Sequence, residues 1–317
     1  MLSDNLQKMK QSKDIFFLIA TICCLTSCGQ SKPTQKKQIK ANIAKQVIQS
    51  DSLKFKETPF KLKDIVSRIE AVNEVQSAHV GEAGVESYNY NNFLDLKKVA
   101  TVNELVQLTD NKNSVVACYS AMALADKSYF DLKTIFIKFL DKDRQVSTFS
   151  GCIKSQDPIS SELYHQYWNN VDDNSKAKDK VLIQLDSVIL FHKNIYWLLT
   201  TRALENRVYN EPYKTQIASL AFDKGNNDAI YYLCNWHKAE YADKLKAALL
   251  KYLKKTKFST TGTTDYYKTI EQLFSFRDEK IRKEIIAKMK KDRHWEMEKE
   301  RFKFILADNN IYDIDSE

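Results

Sequence analysis

Side chains able to do covalent, metal or acid–base chemistry are scarce in this chain, and their spacing gathers few of them. Five histidines are scattered over 317 residues, with no H-E-x-x-H and no paired His motif. His294 and Glu298 would stand one turn apart on a helix and could share a metal. Lys299 and Arg301 interleave with them, however, so a solvated charged face explains the stretch and no metal is assigned. Ser150-Gly151-Cys152 offers a nucleophile among small residues. A reactive cysteine needs a base or cation beside it to hold the thiolate. Lys154 is the nearby one, and the G-x-S-x-G elbow is absent. The carboxylate pairs Asp141/Asp143 and Asp172/Asp173 fall at helix ends, where capping and turn formation account for them. Neither a catalytic residue nor a cofactor is expected.

Two aromatic groups are denser. Tyr164, His165, Tyr167 and Trp168 lie within one and a half helical turns, and Tyr231, Tyr232, Trp236 and His237 repeat the theme. Rings beside a histidine suit a sugar or a peptide. They equally cap the core between paired helices, which is the simpler account. If they are exposed, Tyr164, Trp168, Tyr231, Tyr232 and Trp236 form a candidate binding surface, because aromatic anchors dominate interface energetics. A basic run, Lys254, Lys255 and Lys257 with Lys288, Lys290, Lys291 and Arg293, would make a positive face late in the chain. Such a face suits anionic headgroups or an acidic partner, or it is simply well solvated.

The elements that must position these residues follow from composition. Hydrophobic residues make up 43% and charged residues 28%, enough apolar material for a real core. Average usage would place roughly 22 glycines and 16 prolines in a chain this long; it has 6 and 4. So few turn formers disfavour sandwiches, barrels and propellers, and leave no Gly-rich phosphate loop for a doubly wound nucleotide fold. An all-α protein is expected.

Residues 1–27 read as an address. Lys8, Lys10 and Lys13 precede an eleven-residue apolar stretch, Ile15 to Leu25, too short for the roughly 20 residues of a membrane span. Leu25-Thr26-Ser27-Cys28 resembles the lipobox of bacterial lipoproteins. That resemblance implies diacylglycerol on the Cys28 thiol, cleavage before Cys28 and acylation of the new amino terminus. Gly29 rather than Asp follows Cys28, and in that family this favours the outer membrane facing the periplasm. Residues 28–40 would then be a lipidated flexible tether. Nucleic acid is not an expected partner outside the cytoplasm. Cys23 and Cys24 leave with the signal. Cys118, Cys152 and Cys234 then remain, either free and buried or with one disulfide among them.

Helical periodicity runs over 41–307, with an acidic tail at 308–317. Pro59 starts a helix carrying Phe60, Ile65, Ile69, Val72 and Val75. The stretch 79–92 is non-helical, 144–157 reads as an ordered loop, and 176–207 reads as one long helix. A last pair is expected at about 264–290 and 293–307. Around Asp110-Asn111-Lys112-Asn113 a helix, a polar turn and a second apolar helix follow one another, and the cadence returns about 112 residues later around Asp223 to Asp228. Residues 104–140 and 216–253 resemble HEAT-type repeats, carried by Asp110, Val115, Val116, Ala117, Ala121 and Ala123. The stretch 81–127, with GEAG, FLDLKKVAT and ELVQLTDNKNSVVACYSAMAL, and the later FSGC, is similar to uncharacterised exported bacterial HEAT-like proteins. The resemblance implies a solenoid of antiparallel helix pairs. The expected role is a membrane-anchored, non-catalytic scaffold that binds a protein. An all-α enzyme acting on an envelope polymer and a passive structural lipoprotein are the alternatives.

Overall fold

The computed structural model describes residues 61–193, 197–256, 263–291, 295–312 and 314, all within one compact unit, Pro59–Glu317. Leu25, Thr26, Ser27 and Cys28, the tether at 28–40, the helix start at Pro59 and Phe60, and His294 lie outside the described residues.

The described chain is mostly helical, with one small sheet inserted near its start. Helix α1 (Leu62–Val72) buries Ile65 and Ile69 one turn apart. It ends at Asn73 in the left-handed region (φ 54°), which a short polar side chain tolerates. Strand β1 (Val75–Val80) then turns through Gly81 and Gly84, at φ 77° and 59°, into β2 (Val85–Glu86). Ser87 Oγ accepts from Tyr90 N–H and starts α2 (Tyr88–Val99). Thr101 and Glu104 form a reciprocal capping box on α3 (Val102–Leu108). Asn113 accepts from the N–H groups of Val115 and Val116 and starts α4 (Ser114–Asp126). Helix α4 is buried from Val115 through Ala125, which is why apolar side chains occupy all its faces. Helix α5 (Leu132–Lys142) leads to β3 (Gln145–Gly151) and β4 (Ile153–Pro158).

The sheet order is β2-β1-β3-β4, with β1 and β3 parallel and the outer pairs antiparallel. The sheet corrects the all-α expectation. The segment 144–157 is a hairpin rather than a loop: Val146 and Thr148 point inward while Ser147 and Phe149 alternate outward, and Gly151 (φ 53°) makes the turn. Helical packing elsewhere hid this signal, because a strand of seven residues carries only two inward positions.

The remaining helices are α6 (Ile159–Asn170), α7 (Lys180–Phe191), α8 (Trp197–Asn206), α9 (Tyr213–Phe222), α10 (Asn227–Trp236), α11 (Ala242–Lys255), α12 (Thr263–Phe274), α13 (Glu279–Lys291) and α14 (Trp295–Asp308). The expected long helix over 176–207 is two, α7 and α8, and the expected 264–290 helix is α12 and α13. Thr101, Asn113, Asp179 and Asn226 each cap a helix, so the helix–turn–helix cadence around 110 and around 226 is present in both places.

Side-chain links across the helices show how they follow one another. Asn227–Asp265, Tyr231–Thr269 and Asn235–Gln272 step together along α10 and α12, so these two run parallel. Lys246–Asp278 and Lys254–Glu284 do the same for α11 and α13. The ends of α4 and α6 meet where Asp126 accepts from Gln166 and Asn170, and Asp141 at the end of α5 meets His192 just after α7.

Two apolar clusters fill the interior. The first joins α1 through α7 with Val75 and Val146 of the sheet. The second runs from Leu190 to Ile314. Ile311 and Ile314 of the acidic tail are buried in it, so these residues of the tail are packed against the helices.

Candidate functional site

Where the two clusters meet, polar side chains collect around one carboxylate. Asp186 is the single charged residue between Lys180 and Lys193, in the apolar run of α7. It is 1% exposed. A buried carboxylate is costly unless donors surround it, and here they do. Tyr164 from α6 donates its hydroxyl to Oδ1 at 2.7 Å, and Arg207 Nη2 donates to Oδ2 at 2.6 Å. Asn206 Nδ2, at the end of α8, donates to the Asp186 carboxylate at 3.0 Å and to the Tyr164 hydroxyl at 2.8 Å. Asn206 Oδ1 accepts from Trp168 Nε1 at 2.8 Å. The Tyr209 hydroxyl lies 3.3 Å from Asp186 Oδ2 and donates to Ala203 O at 2.7 Å, while the Tyr209 N–H donates to the Tyr232 hydroxyl at 2.6 Å. Burial raises the Asp186 carboxyl above its ordinary range, against the pull of Asn206, Tyr164, Arg207 and Tyr209. Burial and the adjacent carboxylate likewise raise the phenols of Tyr164 and Tyr209.

This network brings Tyr164, Trp168 and Tyr232 together, largely inside the protein. Tyr164, Tyr231 and Tyr232 are buried, in line with the core-capping account, and so offer no exposed binding surface. Tyr231 bonds Asp265 O and Thr269 Oγ1, and so joins α10 to α12. Trp168 is half-buried, with Lys176 Nζ 3.1 Å and the Arg202 guanidinium 4.8 Å from its ring centroid. Trp236, at the end of α10, is 37% exposed, so only it and part of Trp168 remain available as surface. Asp186, Asn206, Arg207 and Tyr209 were not singled out from sequence. The signal for Asp186 was there: a lone acid in an apolar helix requires buried donors.

The described cysteines are free, Cys118 and Cys234 buried and Cys152 exposed. Burial raises the Cys118 thiol well above its usual range, with the charge of Glu162 adding to it, and pushes Cys234 to about 12. Cys152 sits at the tip of the β3–β4 turn. Lys154 beside it pairs with Glu74 at 2.9 Å and lies over Phe149, away from the role a thiolate would need.

One acid is poised differently. Glu162 on α6 is half-buried, and burial with the charge of Asp157 pushes its carboxyl to about 7. Asp157 accepts from Thr148 across the hairpin and from Ser155 on its own strand. A cavity of about 240 Å³ lies elsewhere, by Ala177, Ile183 and the α8–α9 connection from Arg207 to Glu211, and Tyr213. Glu211 is the carboxylate that lines it. Among the described residues no group of three His, Cys, Asp or Glu could hold a metal, and no helix is long and apolar enough to cross a membrane.

Comparison with protein-family models, curated proteins and solved structures finds no match. The resemblance to HEAT-type repeats therefore rests on the pattern of helices and turns.

Proposed function

We propose that this protein is a lipid-anchored scaffold of the bacterial envelope, binding a protein partner through a solenoid of stacked helix pairs. The observation that carries the reading is the parallel stepping of alternate helices, α10 with α12 and α11 with α13. Stacking of this kind buries each hairpin against the next and builds a long surface rather than a closed pocket. The buried carboxylate at the cluster junction is saturated by donors, and so holds the helices instead of meeting a substrate. In this reading Leu25-Thr26-Ser27-Cys28 supplies the anchor, and Gly29 in place of Asp favours the outer membrane, facing the periplasm. Confinement at a surface raises the effective concentration of a partner there.

In-cell crosslinking and pull-down of the wild type beside Cys28→Ser tests this. One near-stoichiometric partner, lost when the anchor is removed, supports the scaffold. Its absence in both overturns it. A second reading, an enzyme acting on an envelope polymer, is favoured by Glu162, whose carboxyl is pushed to about 7 by burial and the charge of Asp157, in the range of a general acid or base. Turnover of purified envelope polymer that Glu162→Gln abolishes would establish it.

A further inference from the structure

The parallel pairing of α11 and α13 sends their C-terminal ends the same way. At about 1.5 Å per residue, the steps from Lys246 to Lys254 and from Asp278 to Glu284 advance both helices together. Lys251, Lys254 and Lys255 on the last turns of α11 therefore share one end of the stack with Lys288, Lys290 and Lys291 on the last turn of α13. All but the partly covered Lys288 are exposed. Glu284 lies 3.4 Å from Lys254, and Asp265 stands in the first turn of α12, which follows α11. Lysines are favoured at helix C-termini because each end carries about half a negative charge. Two helix ends account for about one lysine's worth of charge, and Glu284 for another. About four positive charges are left on these two helix ends themselves.

We propose that this lysine end is a docking surface for anionic lipid headgroups, one that lays the helical stack against a bilayer. Its chemistry favours lipid over protein. Protein interfaces are enriched in aromatic and Arg anchors and depleted in Lys, whereas these six are lysines, each a mobile point charge on a flexible stem. Such charges need no fixed partner geometry and suit a fluid sheet of phosphates, where each basic side chain contributes on the order of 1 kcal/mol, or about fivefold in partitioning. The docking takes its setting from the membrane-anchored reading proposed above, but it does not need the lipid at Cys28.

The test is vesicle flotation with full-length protein, wild type and Cys28→Ser, on phosphatidylcholine vesicles with and without one quarter phosphatidylglycerol. Both proteins should partition more strongly to the anionic vesicles, and high salt should erase the difference. Lys255→Glu/Lys290→Glu/Lys291→Glu should cut anionic partitioning about a hundredfold with its helical circular dichroism intact. The same charge change at exposed Lys63, Lys133 and Lys280, the last at the opposite end of α13, should cut it far less. Equal binding by the two triple variants, or no preference of wild type for anionic vesicles, overturns the proposal. So does wild-type binding to polyglutamate but not to vesicles, which would mark an acidic protein as the partner. Failure of fatty-acid labelling at Cys28 would remove the anchor and leave this surface standing.

Discussion

Arg207 Nη2 meets Asp186 Oδ2 at 2.6 Å at the junction of the two apolar clusters, with the carboxylate sealed from solvent. Breaking such a pair from one side leaves a buried charge. Arg207→Met should therefore cost about 3–5 kcal/mol, and Asp186→Asn, which keeps the shape and removes the charge, about 1–3 kcal/mol. Urea denaturation measures both. Equal, near-zero losses would show that the network does not hold the clusters together.

Glu162 gives the fold a pH dependence. Burial and the charge of Asp157 push its carboxyl to about 7 in the folded chain, above its ordinary value of 4.5. The folded state thus holds a proton that the unfolded state has released, and stability falls as pH rises from about 4.5 to about 7. The loss is on the order of 1–3 kcal/mol. His165, lowered by burial and by Arg202, acts oppositely, since the folded state resists a proton that the unfolded state takes up as pH falls through 6.5. The difference between wild type and Glu162→Gln isolates the glutamate. The urea midpoint of the variant should exceed wild type at pH 8 and converge with it near pH 4.5.

The two aromatic classes should separate on mutation. Tyr231→Phe removes the hydroxyl bonding Asp265 O and Thr269, and should cost about 1–2 kcal/mol in thermal or urea unfolding. Trp236→Ala should change stability by less, while weakening any partner crosslink that uses the exposed end of α10.

Among Cys118, Cys152 and Cys234, a thiol reagent should modify Cys152 alone in the native protein, with the other two appearing on unfolding. Peptide mapping after labelling reads this directly. Native labelling of Cys118 would mean that α4 opens far more readily than its burial implies.

Cys28→Ser should take up no labelled fatty acid and should leave the membrane fraction. Wild type that also takes up no label would end the lipoprotein reading.

The helices were legible because their signals are local. Scarce Gly and Pro, Asn and Thr caps, and apolar residues three and four apart act within one or two turns, so α4, α5, α10 and α11 could be read from their own residues. The sheet was not, because β3 is defined by pairing with β1, seventy residues earlier in the chain, and its two inward side chains resemble any loop. The breaks between α7 and α8 and between α12 and α13 were missed for the converse reason: their apolar spacing continues across the interruption. The types of Tyr164, Trp168, Tyr231, Tyr232 and Trp236 were plain from sequence, but their roles were not. Burial depends on what the neighbouring helices place opposite, and Asp186, Asn206 and Tyr209 draw most of those hydroxyls and ring nitrogens inward. In the same way, composition alone made the chain basic. Only the parallel packing of α11 and α13 put six of its lysines at one end, because charge is a property of residues while a charged surface is a property of how helices are stacked.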